Sequence, residues 1–289
     1  MDKRRILIQL DCDAQASVFD RVVAVDAGAE EIFSYAGVKP EQVQGFVHGA
    51  IFTRGPKDLK FTAIFVGGSD VSAGEKLMHE ALKQMLPKFG LRVSIMLDAN
   101  GANTTAAAAV RAAARHLDLN NGKALVLGGT GPVGQRVARL LAREGAQVRL
   151  GSRQQARAAA ACQDILARVA NAQLQPVATG TDQELTAALA GRTLVIAAGA
   201  AGAVLLPKAA RAVCPSLKVA IDLNAVPPLG VEGVGVGDQG VEYAGVICYG
   251  AIGVGATKMK IHKAAVASLF ESNDKVWDAE EIYQLAHKF

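Results

Sequence analysis

The chain has 289 residues, 51% of them hydrophobic and 5% aromatic, with a formal net charge of +4 at pH 7. This length suits one large domain or two of modest size, and the scattered basic residues exclude the charged stripe of a nucleic-acid-binding surface. The longest apolar run, residues 194–206, is short and contains two glycines, so we expect no membrane span. The N-terminal apolar run is interrupted by Gln9 and Asp11, which favours a strand over a signal peptide.

The four cysteines are far apart and form no C-x-x-C motif: they are Cys12, Cys162, Cys214 and Cys248. We expect reduced thiols in a cytoplasmic protein. His79-Glu80 begins like the zinc-protease motif H-E-x-x-H, but Lys83 stands where the second histidine belongs. Asp11 and Asp13 lack the remainder of a calcium-binding loop, so the sequence predicts no metal site.

The N-terminal third of the chain alternates between segments with strand and helix patterns. Strands are predicted at residues 6–10, 62–66 and 93–97, and helices at 41–47 and 73–86. The helix at 73–86 is amphipathic, whereas residues 22–31 fit a helix or a strand equally well. The alternation predicts a small α/β domain in this part of the chain.

Two segments of this domain carry candidate catalytic side chains. Phe19 ends a polar loop, and its spacing favours a core position over the alternative, an aromatic wall beside a flat ligand. Tyr35 and Lys39 have the Y-x-x-x-K spacing that places a catalytic pair on one helix face in some dehydrogenases. Gly37 between them and Pro40 after them favour a turn instead.

A second polar loop, residues 98–105, follows the predicted strand at 93–97 and precedes an alanine-rich helix predicted at 106–116. In an open α/β sheet, ligands bind outside the carboxyl ends of the strands. We therefore expect at least one residue of this loop to contact a ligand. Asn103 or Thr104 also suits the N-cap of the helix, and the two roles are compatible.

The most informative stretch runs from Lys123 to Arg153 and has the pattern strand, glycine turn, helix, strand. The turn is a full G-x-G-x-x-G motif: Gly129, Thr130, Gly131, Pro132, Val133 and Gly134. Such glycines permit a tight turn, close approach to a pyrophosphate and close packing of helix on strand, and the helix N-terminus attracts phosphate. Because the motif lies in a βαβ context, we predict a Rossmann-type dinucleotide site.

The second strand of this stretch indicates which dinucleotide binds. NAD sites usually place a carboxylate about 20 residues after the glycines, where it bonds the ribose 2′-hydroxyl. Here Arg153 stands 19 residues after Gly134, next to Ser152, and no carboxylate occurs between positions 145 and 163. Guanidinium binds phosphate bidentately, so Ser152 and Arg153, with Arg157 as a second cation, predict NADP. The alternative is that Arg153 is a solvated surface residue.

The nucleotide-binding region continues with a helix predicted at 156–171 and strands at 193–197 and 218–221. The first of these strands is followed by small residues that let a backbone approach the cofactor: Ala198, Gly199 and Ala200. The second strand leads into a loop with Asn224, a further candidate for cofactor contact. In the same loop, Pro227 and Pro228 are both candidates for a cis peptide bond.

The last candidates lie near the C-terminus. A glycine-rich loop is predicted at 250–255, and Lys258 and His262 follow it at a spacing that places both on one helix face. This spacing leaves two interpretations open, contact with a substrate and a solvated helix face. Asp278 and Glu281 then have the spacing of a capping box before a short terminal helix.

Several segments together resemble one family. They are residues 11–20, 63–68, 96–105, 129–134, 224–230 and 269–283, and they include FVGG, NGANTT and NAVPPLG outside the glycine motif. With this set, the chain resembles the bacterial NADP-dependent methylene-tetrahydromethanopterin dehydrogenases of methylotrophs over nearly its whole length.

The resemblance implies an α/β protein of two domains. A pterin-binding catalytic domain is expected at 1–116 plus 258–289, and a Rossmann NADP-binding domain at 117–257, with the C-terminal helix packing back on the first domain and the pterin in a cleft between the two. The implied reaction is hydride transfer from 5,10-methylene-tetrahydromethanopterin to NADP in formaldehyde oxidation, and some relatives also accept methylene-tetrahydrofolate. Family members are cytoplasmic homo-oligomers, often trimers or hexamers.

The resemblance also assigns candidate residues. Phe19, Thr104, Lys258 and His262 match positions that line the pterin cleft. The expected catalytic set is Phe19, Asp20, Asp98, Asn100, Thr104, Lys258 and His262. The expected cofactor set is the glycine motif with Ser152, Arg153, Arg157, Ala198, Gly199, Ala200 and Asn224.

The implied chemistry needs no general base, because hydride leaves a carbon whose two nitrogens stabilise the resulting cation. Catalysis is then mainly positioning, with Phe19 as a flat wall and Lys258 holding a polar pterin group away from the charge. Related folate dehydrogenase–cyclohydrolases use a Tyr–Lys pair, but Tyr35 and Lys39 are predicted in a turn, so we expect no cyclohydrolase activity. The alternatives are the same reaction mainly on methylene-tetrahydrofolate, a shikimate-type NADP dehydrogenase and a non-enzymatic NADP sensor.

Overall fold

The computed structural model describes residues 3–289 as alternating strands and helices. The strands are β1 (Ile6–Asp11), β2 (Glu31–Tyr35), β3 (Thr62–Gly67), β4 (Ser94–Leu97), β5 (Lys123–Leu127), β6 (Gln147–Ser152), β7 (Gln173–Ala178), β8 (Leu194–Ala197), β9 (Val219–Asp222), β10 (Gln239–Tyr243), β11 (Val246–Tyr249) and β12 (Val276–Trp277). The α-helices are α1 (Val18–Asp26), α2 (Val43–Phe52), α3 (Val71–Gln84), α4 (Ala102–Ala114), α5 (Pro132–Arg143), α6 (Gln155–Leu166), α7 (Asp182–Leu189), α8 (Lys208–Ala212), α9 (Ala251–Ser268) and α10 (Ala279–Ala286).

The chain divides into two compact units, each with its own sheet. The first unit comprises the residues up to Thr104 together with Met259–Lys288. The second unit comprises Thr105–Lys258 and the terminal Phe289. Among the described residues, no helix combines the length and the apolar character that crossing a bilayer requires.

The sheet of the first unit has the order β12-β4-β3-β1-β2, and all of its strand pairs are parallel. Its strands β3 and β4 are buried along their whole length, as apolar runs in a covered parallel sheet are. Because β1, β3 and β4 are parallel neighbours, their carboxyl ends lie side by side. The loops that follow Asp11, Gly67 and Leu97 therefore start at one edge of the sheet.

The C-terminal segment belongs to the first unit. Strand β12 pairs with β4, and Asn103 Nδ2 donates a hydrogen bond to Asp278 Oδ1 at 2.9 Å. Asp278 is the N-cap of α10, and its N–H donates to Glu281 Oε2 at 3.1 Å. The predicted capping box is therefore confirmed.

The structure resolves one undecided segment of the first unit and moves the predicted start of one helix. The undecided segment 22–31 contains the end of α1 and the first residue of β2. Helix α4 begins at Ala102 rather than at 106. Asn103 and Thr104 thus lie in its first turn, and the prediction that one of them is the N-cap is wrong.

The sheet of the second unit has the order β10-β11-β9-β8-β5-β6-β7, and only β10 runs antiparallel. The strand order reverses at β5, beside β8, and ligands of open α/β sheets bind at such switch points. Buried aliphatic side chains pack against the sheet, among them Leu125, Leu127, Val195, Ala220 and Val231. The sequence patterns do not predict the edge strands β7 and β10, because neither has a buried apolar run.

The predicted glycine-rich loop at 250–255 is wrong, because α9 begins at Ala251. The glycines serve packing instead of flexibility. A Cβ on Gly253 would lie 1.8 Å from the carbonyl oxygen of Asp238, and a Cβ on Gly250 would lie 2.1 Å from that of Gly235. The preceding loop thus approaches the helix backbone more closely than any side chain allows. Helix α6 also ends earlier than predicted, at Leu166.

Candidate functional sites

The glycine turn after β5 is built by contacts between backbone segments of the second unit. Gly128 has φ +66°, and a Cβ there would lie 2.4 Å from Gly199 Cα, in the segment after β8. A Cβ on Gly134 would lie 2.6 Å from the Gly128 oxygen, and one on Gly129 would lie 2.7 Å from Leu150 Cγ. Packing within the protein therefore requires these glycines and holds the turns after β5 and β8 together at the switch point.

Gly131, the second glycine of the motif, differs because no described residue crowds it. Its φ of −76° suits any residue, and the nearest atom to an added Cβ would be 3.4 Å away. Gly131 is the N-cap of α5, which has no side-chain cap, and Pro132 begins the helix. Thr130 and Val133 beside it are half-buried. This bare helix start suits a phosphate, because the first-turn N–H groups need acceptors and a glycine lets the ligand approach.

The small residues predicted after β8 border this turn. Ala198 N donates to the Leu127 oxygen at 2.9 Å, which continues the β5–β8 pairing beyond the strands. Ala198 and Gly199 are half-buried and Ala200 is exposed. A Cβ on Gly199 would lie 2.6 Å from Leu205 Cδ1. Small side chains here keep the backbone of both turns adjacent and accessible.

The candidate 2′-phosphate site lies at the carboxyl end of β6, the neighbour of β5. Ser152 is 8% exposed, and its Oγ accepts a hydrogen bond from Gln154 N at 3.2 Å. Because a backbone donor occupies this acceptor, the hydroxyl proton can be donated to a ligand. Arg153 and Arg157 are exposed, with Arg157 in the first turns of α6. Both guanidinium groups are therefore accessible to an anion.

The Asn224 side chain is engaged within the loop after β9. Its Nδ2 donates to the oxygens of Val226 at 3.0 Å and Pro228 at 3.2 Å, and its Oδ1 accepts from Val226 N at 3.0 Å. Asp222 accepts from Asn224 N, and burial raises the pKa of the Asp222 carboxyl. Asn224 thus shapes the loop around the cis Pro227–Pro228 bond, and this task occupies both of its side-chain N–H donors.

In the first unit, Asp98 is the centre of a hydrogen-bond network at the carboxyl end of β4. It is 1% exposed. Its Oδ1 accepts from the N–H groups of Asn103 and Thr104, each at 3.0 Å, and its Oδ2 accepts the Thr104 hydroxyl at 2.6 Å. Asp98 therefore satisfies the first turn of α4, the role that the sequence assigned to Asn103 or Thr104. His262 Nδ1 lies 3.8 Å from Asp98 Oδ2, so the network includes α9.

His262 also contacts two aromatic rings. The Phe65 ring stacks on it, with centroids 5.7 Å apart and planes at 15°, and the Phe19 ring is tilted at a centroid distance of 6.2 Å. His262 is 1% exposed, whereas Phe19 is 51% exposed. The core position favoured for Phe19 is therefore wrong, because the ring lies at the surface of the cluster. The alternative that His262 lies on a solvated helix face is wrong, because its side chain is buried. Lys258, one turn earlier on α9, is half-buried.

Asn100 and Asp20 lie on two other segments at this edge of the sheet. Asn100 has a left-handed backbone, with φ 53° and ψ 21°, and its N–H donates to the Gly68 oxygen at 2.6 Å. Asparagine tolerates this conformation better than most residues, and its side chain is exposed. Asp20 is half-buried in the first turn of α1, where its N–H donates to Ser17 Oγ at 3.2 Å.

Sequence reasoning missed the loop after β1 as part of this edge. Asp11 is fully buried, and its carboxylate accepts from Asp13 N at 2.9 Å and Ser17 N at 3.0 Å. Asp13 accepts from the N–H and hydroxyl groups of Ser69. Asp11, Cys12 and Asp13 bring one ligand atom each within 4.8 Å, yet the hydrogen bonds give both carboxylates a structural task. Asp11 orders the loop after β1, and Asp13 joins that loop to the one after β3. The available signal was a pair of aspartates directly after an apolar strand.

Tyr35 and Lys39 stand on either side of a turn and not on a helix, in agreement with the predicted turn. Tyr35 is the last residue of β2, Gly37 has φ +61°, and Lys39 precedes a short 3₁₀ segment. The Tyr35 ring packs against Phe46 at a centroid distance of 4.4 Å. The two side chains therefore do not share a helix face.

Comparison with known proteins identifies the family. Residues 18–100 match the model described as methylene-tetrahydromethanopterin dehydrogenase, N-terminal. The chain is 45% identical to bifunctional protein MdtA of Methylorubrum extorquens strain AM1, over 98% of both chains. It is 30% identical to the NAD(P)-dependent methylenetetrahydromethanopterin dehydrogenase of the same organism, again over 98% of each. The chain belongs to the methylene-tetrahydromethanopterin dehydrogenase family. The resemblance seen in the sequence motifs is therefore confirmed.

Solved structures share the architecture at low identity. Quinate dehydrogenase from Corynebacterium glutamicum in complex with NAD superimposes with a TM-score of 0.53 at 12% identity, over 99% of each chain. Ligand-free 5-ketofructose reductase of Gluconobacter gives a TM-score of 0.52 at 14% identity, also over 99% of each. At such identities the similarity concerns the fold alone. It confirms the predicted α/β class with a Rossmann-type unit.

Proposed function

We propose that this family member is an NADP-dependent oxidoreductase that converts 5,10-methylene-tetrahydromethanopterin to 5,10-methenyl-tetrahydromethanopterin. One C–H bond of the methylene carbon breaks, and the hydrogen leaves with both electrons. NADP, when bound, supplies the nicotinamide carbon that accepts this hydride. The product carries one positive charge shared by two nitrogens, and no proton is released.

The observation that carries the proposal is full-length similarity to two relatives, one of which is named for oxidation of this pterin. The geometry supports it in each unit separately. The second unit has the glycine turn and an uncapped start of α5, which suit a pyrophosphate. At the carboxyl ends of its strands, the first unit has an aromatic cluster with fixed polar groups, which suits a flat ring system.

The preference for NADP rests on the end of β6. Ser152 has a hydroxyl proton to donate, and Arg153 follows it at the surface. A guanidinium and a hydroxyl donor complement a 2′-phosphate, whereas a ribose 2′-hydroxyl calls for a carboxylate. Arg157 adds a second positive charge in the first turns of α6, where the helix N-terminus also favours an anion.

The aromatic cluster of the first unit is proposed to hold the pterin. The exposed Phe19 ring offers a flat apolar surface, and aromatic rings favour offset or tilted stacking. His262 is fixed by the Phe65 ring and lies near the Asp98 carboxylate. Thr104 is fully buried and donates its hydroxyl proton to Asp98, so it acts by fixing that carboxylate. Groups fixed in this way orient a substrate without ordering themselves at each turnover.

Charge balance assigns different tasks to Asp20 and Lys258. Positive charge grows on the one-carbon bridge as the hydride leaves, and a carboxylate fixed nearby stabilises it. Asp20 is the half-buried carboxylate of the α1 turn that also carries Phe19, and we assign this task to it. A lysine at the bridge would oppose the growing charge, so Lys258 holds a polar pterin group away from the reacting carbon.

The direct test is a spectrophotometric assay of NADPH formation with the purified chain. We expect turnover with methylene-tetrahydromethanopterin and NADP, and a higher Michaelis constant for NAD. Faster turnover with methylene-tetrahydrofolate would overturn the substrate assignment and favour the folate reaction. Turnover with quinate or shikimate alone would indicate a dehydrogenase of another type, and tight NADP binding without any turnover would indicate a sensor.

The proposal includes a cytoplasmic homo-oligomer, a trimer or a hexamer. Sedimentation equilibrium of the purified chain would give the mass directly. A monomer at all concentrations would contradict this part of the proposal without affecting the proposed reaction, which the NADPH assay tests.

A further inference from the structure

Gly67 stands at the carboxyl end of β3, next to the carboxylates of Asp11 and Asp20 and the ring of Phe65. It pairs in register with Asp11 on β1. It lies two residues after Phe65, so a side chain there would project from the same face of the strand, the face on which Phe65 meets His262. Gly67 is absent from the glycines with positive φ, in contrast to Gly68 at +100°. Its backbone therefore accepts any residue, and the reason for glycine is space.

The atoms around Gly67 show what fills that space. A Cβ at this position would lie 3.2 Å from Asp20 Oδ2, 3.2 Å from Phe65 Cε1 and 3.6 Å from Asp11 Oδ2. The first two of these distances are below ordinary van der Waals contact, so a methyl group would displace the carboxylate or the ring by a few tenths of an ångström. The missing side chain leaves a notch, and the Asp20 carboxylate occupies it.

The Asp20 carboxylate reaches this notch because α1 is fixed at its start. Ser17 is the N-cap of α1, and its Oγ accepts from Asp20 N at 3.2 Å. Ser17 N in turn donates to Asp11 Oδ2 at 3.0 Å, and Asp11 is the register partner of Gly67. A short chain of bonds therefore ties the first turn of α1 to the strand pair that forms the notch.

We propose that Gly67 is a positioning residue for Asp20. This inference rests on the proposed function, because Asp20 is assigned there to the growing positive charge. The notch sets the distance between the carboxylate and the aromatic cluster of Phe19, Phe65 and His262. A methyl group at position 67 moves the carboxylate away from its place and weakens the stabilisation of the transition state more than the binding of NADP.

The test is a double-mutant cycle with Gly67→Ala and Asp20→Asn in the full-length chain. We expect Gly67→Ala to lower kcat about three- to tenfold, because a displacement of a full ångström costs about 100-fold and this one is smaller, with little change in the Michaelis constant for NADP. If Gly67 acts through Asp20, Gly67→Ala has little further effect in the Asp20→Asn background. Gly49→Ala, at a helix position with no neighbouring atom within 4 Å, is the matched control and is expected to keep full activity.

Several outcomes would overturn the inference. Effects of Gly67→Ala and Asp20→Asn that multiply would show that the two residues act independently. Coupling of Gly67→Ala to Phe65→Leu in place of Asp20→Asn would show that the notch serves the ring. Wild-type kcat in Gly67→Ala would show that the notch has no role. A wild-type chain that does not reduce NADP with the methylene pterin would instead refute the proposed function, so the two failures are distinguishable.

Discussion

The two units build their candidate sites from different parts of the chain. In the second unit the site is mainly backbone, because Gly128, Gly134 and Gly199 bring two turns together at the switch point. In the first unit it consists of side chains from segments far apart in sequence, with Asp98 and His262 as an example. A backbone site depends on a short motif of glycines, because a side chain at any of these positions would collide with neighbouring atoms. A side-chain site depends on a network in which each buried polar group forms a hydrogen bond with another.

The comparison predicts that the largest loss of stability follows from breaking the Asp98 network. Asp98→Ala leaves two buried N–H groups and the Thr104 hydroxyl without their acceptor, at a cost of roughly 3–5 kcal/mol. Urea unfolding of the purified variant measures this free energy. Asp98→Asn keeps one acceptor oxygen and is expected to lose less. Equal stability of Asp98→Ala and the wild type would show that the network contributes nothing to folding.

The next largest effect is expected in the glycine turn. Gly134→Ala places a methyl group 2.6 Å from the Gly128 oxygen, and a backbone atom yields less easily than a side chain. We expect a loss of about 1–3 kcal/mol in stability, as for other overpacked positions, together with loss of NADP binding. Thermal unfolding and calorimetric titration with NADP measure the two effects. A variant that binds NADP normally would contradict the backbone-built site.

A smaller and selective effect is expected at the end of β6. Arg153→Ala removes a charged donor from the 2′-phosphate, and we expect NADP affinity to fall about 10- to 100-fold while NAD affinity stays unchanged. Michaelis constants for both dinucleotides measure this. Arg168→Ala removes another exposed arginine beyond the far end of α6 and is the matched control. Equal losses of affinity for NADP and NAD would show that Arg153 does not recognise the 2′-phosphate and is an ordinary surface residue.

The smallest effect on stability is expected at Gly131, which sharpens the contrast with Gly134. An alanine there meets no atom closer than 3.4 Å and keeps an ordinary φ, so its unfolding free energy should stay within about 0.5 kcal/mol of wild type. NADP binding should nevertheless weaken, because the added methyl group lies where the pyrophosphate approaches. Unchanged NADP affinity in a fully stable Gly131→Ala variant would place the phosphates elsewhere.

The same contrast explains what the sequence could predict. The motif at 129–134 is local, and its context of strand, turn and helix follows from residues next to it. The exposed position of Phe19 and its contact with His262 depend on how α1 and α9 lie in the first unit, which no local spacing contains. Phe65 reads as one more apolar residue of a buried strand, so its stacking on His262 has no sequence signal.

Two errors have the same physical origin. Gly253 suggests a loop by local rules, yet its purpose is the close approach of the backbone at Asp238 to α9. Asn103 and Thr104 suit an N-cap by composition, yet the Asp98 carboxylate, further back in the chain, satisfies their N–H groups. In both cases a partner that the local rule does not consider decided the structure: the backbone at Asp238 for Gly253, and the carboxylate of Asp98, in the same loop, for Asn103 and Thr104.

The most direct test of the central claim is isotope transfer from the substrate. Methylene-tetrahydromethanopterin with deuterium on the bridging carbon would be oxidised with NADP in ordinary water, and the NADPH analysed by mass spectrometry. Direct hydride transfer predicts that the deuterium transferred from the bridge is found on the nicotinamide ring of NADPH. Deuterium released to the solvent, or oxidation of the pterin without labelled NADPH, would contradict it.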